Sequence, residues 1–490
     1  MMSGRLAGLA LCVALLSVWA GPTCGQRTSR PVSEDEWPSF RGGPQNQAWR
    51  EFALRRVTPL PGWEFVPSEE VRGYDEGTSV FSSPAVAAVG GRVLAFVGCY
   101  DRNVYAVDVA SGREAWRYTT GGPVAGTPAV GRVGDRSVVF VGSAGRTLYA
   151  LDAASGHKLW GRQLAPWRHS IGQATVASPT LFEVSGRPAV LFAYWLYDRS
   201  AAKALEVAAA RACDAASGEI IWEQRLGRSE LSSPLVVEVK GRPLAYIASR
   251  DGSLHCLDAA TGAPQWRYTA KEQIWASPAY ADLEAGPTVF IGSHYGDMAA
   301  LDAEKGLPRW HRKVAREVDS TAAVAEIEGR KVLLFGSQDQ CLYALRAEDG
   351  TNLWRFEAHG DVYSSPCLVP YNGRLAVAFA AGDDCVYLVS AGAGREIWRT
   401  RPGGFLWAYR VLGDSIWSSP VGVLVDGRTL LLLPFYDGIV HAYDVGGLER
   451  QAQAGDPGYG WRMLRGVFLS LLATAVLALV FIRLDRRLAA

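Results

Sequence analysis

The chain lacks a strong charge of either sign. Its 490 residues carry 50 lysine and arginine side chains against 49 aspartate and glutamate side chains, for a formal net charge of +1. Proteins that bind nucleic acid carry a basic surface, so this balance argues against a nucleic-acid partner. Lysine is scarce, with 7 residues against 43 arginines, and no Asn-x-Ser/Thr sequon is present. These absences favour a bacterial protein over a eukaryotic glycoprotein.

The common catalytic and cofactor motifs are absent as well. The sequence contains no G-x-x-x-x-G-K-[ST], G-x-S-x-G, H-E-x-x-H or C-x-x-C-H, and no G-x-G-x-x-G that follows a strand. Its seven histidines are scattered, so no pair has the spacing of metal ligands. The sequence therefore predicts no catalytic residue, no cofactor and no metal site.

Cysteine is sparse. Of the eight cysteines, Cys12 and Cys24 lie near the N-terminus and the other six fall within the repeats described below. Cys341 and Cys385 hold the same place in successive repeats, which separates them too widely for a disulfide. We interpret most of the six as small core residues and leave disulfide pairing open.

Long apolar runs occur at the two ends of the chain. The N-terminus has a basic residue at Arg5, an apolar stretch and a small residue at Ala20, the pattern of a secretory signal. Near the C-terminus, 17 uncharged residues lie between Arg465 and Arg483. They would span roughly 25 Å as a helix, at the short end for a membrane crossing. A terminal helix packed on the domain is the alternative.

The most informative feature of the sequence is a repeat of 44 residues. The phrase "GSLHCLDAATGAPQW" at 252–266 returns as "GDMAALDAEKGLPRW" at 296–310. The tryptophans spaced 44 apart are Trp222, Trp266, Trp310, Trp354 and Trp398, and the same interval joins Trp116 to Trp160. Propeller and solenoid arrays produce periods in this range.

Each unit reads as four short strands. A Ser/Thr-Pro strand such as "FSSPAV" comes first, and an apolar run such as "VLAFVG" follows. A turn such as "RDGS" leads into a third strand, because Asp-Gly between hydrophobic runs favours a hairpin. In the "DAATG" turn that follows, Asp caps backbone N–H groups and Gly takes the left-handed conformation. The tryptophan opens the outermost strand and is predicted to fill the gap against the next sheet.

The Ser/Thr-Pro strands number eight and predict an all-β fold, an eight-bladed β-propeller of four-stranded blades. The last unit lacks its tryptophan phrase, and "PGWEFV" near the N-terminus supplies the missing strand, so Trp63 is predicted to close the ring. The structural tryptophans are Trp63, Trp116, Trp160, Trp222, Trp266, Trp310, Trp354 and Trp398. The predicted segments are a signal peptide (1–25), an N-terminal extension (26–60), the propeller (61–445), a linker (446–465), a transmembrane helix (466–482) and a cytoplasmic tail (483–490).

The repeated phrase "DGSLHCLDAATGAPQW" resembles the repeat of the quinoprotein-like (PQQ-repeat) β-propellers. The segment "DEWPSFRGGPQNQ" resembles the start of many secreted bacterial members. The resemblance covers about residues 35 to 445 and implies the fold. It does not imply one activity, because the family contains quinone-dependent alcohol dehydrogenases and non-catalytic proteins such as the assembly lipoprotein BamB.

For an enzyme of this family, the resemblance implies a vicinal Cys–Cys disulfide over the quinone, a Ca²⁺ cage of Glu, Asn and Asp, and a catalytic Asp. This sequence has no Cys-Cys pair and only four asparagines, Asn46, Asn103, Asn352 and Asn372. We therefore expect the non-catalytic, BamB-like branch.

Four insertions interrupt the repeat. The distance from the tryptophan to the next proline is 12 residues from Trp222 to Pro234, but it is 21 after Trp63, 19 after Trp160 and 22 after Trp398. The third blade also gains 11 residues around "YWLYDRSAAKALEVAAARA". Because successive strands alternate in direction, all four insertions are predicted on one face of the disc, and loops on a rigid scaffold often bind partners.

Tryptophan, tyrosine and arginine are concentrated in these insertions and at the channel mouth, where Phe81 also lies. These residue types dominate interface hot spots, although they could instead pack the loops on the disc. The predicted partner-binding residues are Trp167, Arg168, His169, Tyr194, Trp195, Tyr197, Trp275, Tyr363, Trp407, Tyr409, Arg410 and Trp417.

We therefore expect a non-catalytic, membrane-anchored scaffold that binds other envelope proteins, with the alternative of a PQQ- or metal-dependent oxidoreductase using the central funnel. The expected location is the inner membrane, with a single pass and a monomeric propeller on the periplasmic side. The last strand, "IVHAYDV", ends on the face of the "DAATG" turns. The short linker after it favours turning that face towards the bilayer.

Overall fold

The structure is a computed structural model of the chain. It describes residues 49–52, 63–67, 80–164, 173–198, 205–227, 229–400, 418–425, 428–434 and 439–445. These residues form strands and turns, without a helix. Accordingly, no helix in the described ranges is long and apolar enough to cross a membrane. The predicted signal peptide, linker, transmembrane helix and tail lie outside the described residues.

Two short strands precede the first blade, β1 (Trp49–Phe52) and β2 (Glu64–Phe65). Blade one contains β3 (Ala85–Val89), β4 (Arg92–Gly98), β5 (Asn103–Asp108) and β6 (Glu114–Thr119). Blade two contains β7 (Ala129–Val133), β8 (Arg136–Ser143), β9 (Thr147–Asp152) and β10 (Lys158–Gln163). Blade three contains β11 (Gln173–Val176), β12 (Thr180–Val184), β13 (Arg187–Asp198), β14 (Leu205–Asp214) and β15 (Ile220–Gly227). Blade four contains β16 (Leu235–Val239), β17 (Arg242–Ala248), β18 (Ser253–Asp258) and β19 (Pro264–Thr269).

The second half of the chain repeats this order. Blade five contains β20 (Ala279–Leu283), β21 (Gly286–Gly292), β22 (Asp297–Asp302) and β23 (Pro308–Lys313). Blade six contains β24 (Ala323–Ile327), β25 (Arg330–Gly336), β26 (Cys341–Arg346) and β27 (Asn352–Glu357). Blade seven contains β28 (Cys367–Tyr371), β29 (Arg374–Ala380), β30 (Val386–Ser390) and β31 (Glu396–Thr400). Blade eight contains β32 (Val421–Val425), β33 (Arg428–Pro434) and β34 (Val440–Asp444).

Each blade is a sheet of strands that follow one another in antiparallel order, from the innermost Ser/Thr-Pro strand to the outermost tryptophan strand. The predicted all-β, eight-bladed propeller of four-stranded blades is therefore confirmed. Two sheets carry one strand more than the four predicted. In blade three β11 pairs with β13, and in blade eight β1 pairs with β32.

The N-terminal chain closes the ring. Strand β2 pairs antiparallel with β34, with Glu64 opposite His441 and Phe65 opposite Val440. The N–H of Ala442 also donates to the carbonyl of Trp63 at 2.8 Å. Strand β2 is therefore the fourth strand of blade eight, as predicted from "PGWEFV".

A second N-terminal strand joins the same blade at its inner edge. Strand β1 runs parallel to β32, with Trp49 opposite Gly422 and Phe52 opposite Val425. These residues fall in the segment predicted as an extension outside the propeller. The N-terminal chain thus pairs with both edges of blade eight.

The repeated tryptophans join neighbouring blades. The Trp222 indole N–H donates to the carbonyl of Ala259 in the next blade at 2.9 Å. Gly262 in that blade has φ of +75°, and a Cβ there would lie 2.6 Å from the Trp222 ring. The tryptophans with an indole bond of this kind are Trp63, Trp116, Trp160, Trp222, Trp266, Trp310 and Trp354. The turn glycine is therefore needed for its positive φ and also for the space that it leaves to the indole.

The aspartate of the repeat caps its own turn, as predicted. One carboxylate oxygen of Asp258 accepts the N–H groups of Ala260 and Thr261 at 3.1 and 2.9 Å, and the Thr261 hydroxyl at 2.8 Å. Asp108, Asp152 and Asp214 cap their turns in the same way. These carboxylates thus have structural partners.

The core is built from the first three strands of the blades. Its largest fully buried aromatic side chains are Phe96, Tyr105, Phe140, Phe192, Tyr246, Phe290, Phe335, Phe379 and Tyr387. The described cysteines are thiols outside any disulfide, and all but Cys385 are buried. Burial raises the pKa of the Cys213 thiol to about 11 and that of Cys256 to about 12. They remain protonated near neutral pH and pack as small core residues.

Candidate functional site: the insertion face and central funnel

The strand order places two sets of connections on one face of the propeller. Here the second strand of each blade turns into the third, and the fourth strand leads to the next blade. We call this side the insertion face. The opposite side, the turn face, carries the "DAATG"-type turns. Of the predicted partner-binding residues, those outside the described ranges are Trp167, Arg168, His169, Trp407, Tyr409, Arg410 and Trp417.

The insertion of blade three is a β-hairpin. Strands β13 and β14 have 12 and 10 residues and stay paired out to Asp198 and Leu205. Strand β11, from the insertion after Trp160, pairs with the extended part of β13. Two of the four insertions therefore meet on the insertion face.

The three aromatic residues of this hairpin have different environments. Tyr194 is 3% exposed and belongs to the core, where burial raises the pKa of its hydroxyl to about 12. Trp195 and Tyr197 are half-buried on the other face of the strand and stack, with ring centres 5.6 Å apart. The Trp195 indole also donates to Glu206 at 3.1 Å. Of the three, only this stacked pair is partly exposed.

Sequence reasoning missed Arg211, which fastens the two insertions together. This side chain is buried in β14, and its Nε donates to Glu223 at 2.6 Å. Its other nitrogens donate to the carbonyls of Gln163 at 3.0 Å and Leu164 at 2.5 Å, where the insertion after β10 begins. The one available signal was an arginine inside the apolar run "VAAARAC".

A ring of hydroxyl groups surrounds the central channel. At six blade junctions, the Ser or Thr at the ring position, which precedes the proline in every blade but blade six, accepts the backbone N–H of its counterpart in the preceding blade. The bonds run from Ser83 to Thr127 (3.0 Å), Thr127 to Ser178 (2.9 Å), Ser277 to Thr321 (3.0 Å), Thr321 to Ser365 (3.0 Å), Ser365 to Ser419 (3.0 Å) and Ser419 to Ser83 (3.1 Å). We call these residues the hydroxyl ring. The last bond links blade eight to blade one.

Where a serine precedes the ring residue, its hydroxyl binds within one blade. The Ser364 hydroxyl donates to the carbonyl of Ala380 at 2.9 Å and accepts the N–H of the same residue at 2.7 Å. Ser82 bridges to Gly98 in the same manner. In "SSP" the first serine therefore joins two strands of one blade, and the second joins two blades.

The hydroxyl ring lines a funnel of about 230 Å³ at the insertion face. Trp275, Tyr363 and Phe81 all line it. Among the lining residues that the structure describes, Asp319 is the one carboxylate, and none is cationic. The same ranges hold no group of three or more His, Cys, Asp or Glu residues placed to bind a metal ion.

The aromatic rim is held by its neighbours. The Arg250 guanidinium lies 3.8 Å from the centre of the Trp275 ring, and the His294 ring stacks on it at 5.4 Å. The Trp275 indole donates to Gln273 at 2.9 Å. Burial, followed by the charge of Asp361, raises the pKa of Tyr363, which keeps its hydroxyl neutral. The rim is thus a pre-organised surface.

Asp319 is fixed at the funnel wall. The amide of Gln338 donates to one carboxylate oxygen at 2.6 Å, and His294 Nδ1 donates to the other at 3.1 Å. The Asp319 side chain is 10% exposed, and Gln338 is buried. Sequence reasoning missed this residue because its blade lacks the proline that marks the others, and Thr321 is followed by Ala322.

Solved structures share this fold. BamB from Moraxella catarrhalis is 18% identical, with a TM-score of 0.53, and the match covers 79% of this chain and 97% of that chain. A quinohemoprotein alcohol dehydrogenase from Comamonas testosteroni is 14% identical, with a TM-score of 0.59 and coverage of 84% and 81%. A europium-containing methanol dehydrogenase is 14% identical, with a TM-score of 0.58 and coverage of 82% and 89%. At these identities the likeness shows the fold alone.

No curated protein sequence matches the chain. A sequence model of one family does match, over residues 46–193 and 206–445, and its description is outer membrane protein assembly factor BamB. The match covers most of the chain and includes every propeller blade. The chain therefore belongs to the BamB family of PQQ-repeat β-propellers.

Proposed function

We propose that this protein is a non-catalytic, membrane-anchored scaffold of the bacterial cell envelope, which binds other envelope proteins through its insertion face. The observation that carries the proposal is the pre-organised aromatic rim, where Phe81, Trp275 and Tyr363 surround the funnel. Rigid aromatic side chains supply contact area at a low entropic cost. The stacked Trp195–Tyr197 pair extends this surface onto the hairpin.

The funnel does not fit a quinone cofactor. Its volume of about 230 Å³ is below the roughly 300–1,000 Å³ of pockets that enclose drug-sized ligands. A quinone that carries carboxylates would also face Asp319, without a cation among the described lining residues. We expect purified protein mixed with the quinone and Ca²⁺ to take up neither. Stoichiometric uptake with dye reduction would instead support the oxidoreductase.

The proposed orientation turns the turn face towards the inner membrane and the insertion face towards the periplasm. Strand β34 ends at Asp444 on the turn face, with the apolar run of residues 466–482 following in the sequence. Exposed large apolar side chains at the turn-face ends of strands are Leu159, Ile220, Ile221, Leu307 and Leu375. Such side chains suit contact with a lipid surface.

Crosslinking and capture with the intact anchored protein test the scaffold. Replacement of Trp407, Tyr409 and Arg410 with alanine should reduce partner capture at least tenfold, because it removes side chains typical of hot spots. The matched control replaces Glu304 and Lys305 on the turn face with alanine and should leave capture unchanged. Loss of capture in the control alone would show that the faces are assigned the wrong way round.

A further inference from the structure

We propose that the funnel binds one cationic side chain, a guanidinium or ammonium group on an alkyl stem, presented by a partner protein. The inference rests on the proposed scaffold function and names the chemistry that the partner must offer. It draws on the funnel's size, its aromatic walls, its charge and the hydroxyl ring.

The size of the funnel suits a single side chain. A volume of about 230 Å³ corresponds to roughly seven or eight water molecules at the liquid volume of about 30 Å³ each. One extended arginine or lysine side chain is of this order, whereas a strand or helix is far larger. The occupant is therefore a side chain projecting from a loop that rests on the aromatic rim.

The walls and the charge select a cation. The rings of Phe81 and Tyr363 can pack against an alkyl stem and attract a positive group. Asp319 is the one carboxylate among the described residues that line the funnel. A carboxylate has about four lone-pair sites, and Gln338 and His294 occupy two of those on Asp319. The remaining sites can accept hydrogen bonds from a guanidinium or ammonium group.

Charges around the funnel reinforce this preference. Beside Asp319 lie Glu317 and Asp361, while Arg316 is the nearby cation that contacts both, at 3.2 and 3.9 Å. Arg250, farther round the rim, is paired with Glu230. Four carboxylates against two guanidinium groups leave an excess of two negative charges when His294 is neutral. An incoming cation is therefore attracted over roughly a Debye length.

The hydroxyl ring supplies acceptors at the base of the funnel. Thr127 and Thr321, which line the cavity, are 2% and 4% exposed. Their hydroxyl oxygens each accept one backbone N–H, from Ser83 and Ser277, and can accept a second hydrogen bond. Buried hydroxyl groups can therefore bind the N–H groups of a cation that leaves water. An apolar side chain would leave these acceptors unsatisfied.

Calorimetric titration of the full chain with N-acetyl-arginine amide tests the site, with N-acetyl-citrulline amide as the neutral probe of the same shape. We expect the arginine compound to bind at least tenfold more tightly and its affinity to fall with added salt. Asp319→Asn should weaken binding at least tenfold. The matched control Asp135→Asn removes a charge from the exposed turn between β7 and β8, on the turn face, and should change affinity less than threefold.

A second variant, Tyr363→Leu, keeps the test decisive if Asp319→Asn fails to fold, because it removes an aromatic wall without touching the carboxylate. We expect it to weaken the arginine compound several-fold. Equal binding of the citrulline and arginine compounds, or full affinity in either variant, would overturn the inference. If Asp319→Asn captures a partner as well as the wild type does, the cation site is rejected and the scaffold function stands. If the chain binds the arginine compound but captures no partner, the cation site is supported and the scaffold function is rejected.

Discussion

At the scale of single residues, the turn glycines show how one position can carry two constraints. Gly262 has a positive φ and lies under the Trp222 ring. Gly241 has φ of +78°, and a Cβ added there would have nothing within 4 Å. The two positions therefore share the backbone constraint and differ in the space available for a side chain. Comparing them separates conformational strain from packing.

We predict that Gly262→Ala destabilises the protein by about 3 kcal/mol, of which roughly 1–2 kcal/mol is left-handed strain and the rest is overpacking against the indole. Gly241→Ala should cost only about 1 kcal/mol, because strain alone acts there. Chemical denaturation of both variants measures the difference. Equal losses would mean that the indole moves aside without cost.

A buried histidine should make stability depend on pH. His255 Nε2 is buried and has no hydrogen-bond partner among the described residues. Burial holds the pKa of His255 below its ordinary value. As pH falls through about 6.5, the unfolded chain takes up a proton that the folded chain refuses, so stability is lost. Above that pH, His255 is neutral in both states and the effect vanishes.

We predict that His255→Leu flattens the loss of stability between pH 7 and pH 5. The free energy of unfolding, measured by urea denaturation at several pH values, gives this slope. His311→Leu, at an exposed position, is the matched control and should retain the wild-type slope. If the free energy of unfolding changes with pH in the same way for wild type and His255→Leu, His255 is not the source of the pH dependence.

The residues that could be predicted are those whose role repeats. Tryptophan, aspartate and glycine recur in each unit because every blade has the same neighbour, so their roles follow from spacing. Arg211 and Asp319 occur once, and their partners come from segments distant in sequence. The roles of the two serines in "SSP" also depend on which blade each one meets, and this pairing is not visible in one strand.

At the scale of elements, the strand that closes the ring differs from its counterparts in connectivity and in its shorter length. Trp63 donates to the Val109 carbonyl at 2.8 Å, and Trp266 makes the equivalent bond to Ala303 at 3.1 Å. Trp266 lies within a continuous blade, whereas β2 is joined to blade eight by pairing alone. The same substitution at the two sites should therefore have different structural consequences.

We predict that Trp63→Ala and Trp266→Ala each cost about 3 kcal/mol or more in stability, from lost burial of the indole. Only Trp63→Ala should open the ring, which would expose β2 to limited proteolysis between residues 53 and 80. Mass spectrometry of the first fragments reads out the cleavage sites. Early N-terminal cleavage in Trp266→Ala as well would show that ring closure does not depend on Trp63 alone.

Two elements were not predicted because their sequences carry no local signal. The segment "WREF" of β1 has no repeat phrase, and a parallel pairing needs no hairpin turn beside it. The hairpin of blade three contains the alanine-rich run of β14, which lacks the β-branched residues typical of strands. Its pairing with β13 and β15 overrides that weak propensity.

At the scale of the whole molecule, the 44-residue period made the fold predictable, but the fold does not determine the function. The same propeller occurs in BamB and in alcohol dehydrogenases. The residues that line the funnel come from separate blades around the axis. Those residues become neighbours only when the ring is complete, so no window of sequence could reveal the site.

Ring closure also has a consequence for the time course of synthesis. Phe65 pairs with Val440, which lies 375 residues later in the chain. At about 5–20 residues per second, strand β2 waits roughly 20 to 75 seconds before its partner strand exists. During that interval the growing arc of blades exposes an unpaired edge at each end, and such edges can pair with other chains. The rate at which the chain is made therefore sets how long it remains vulnerable to aggregation.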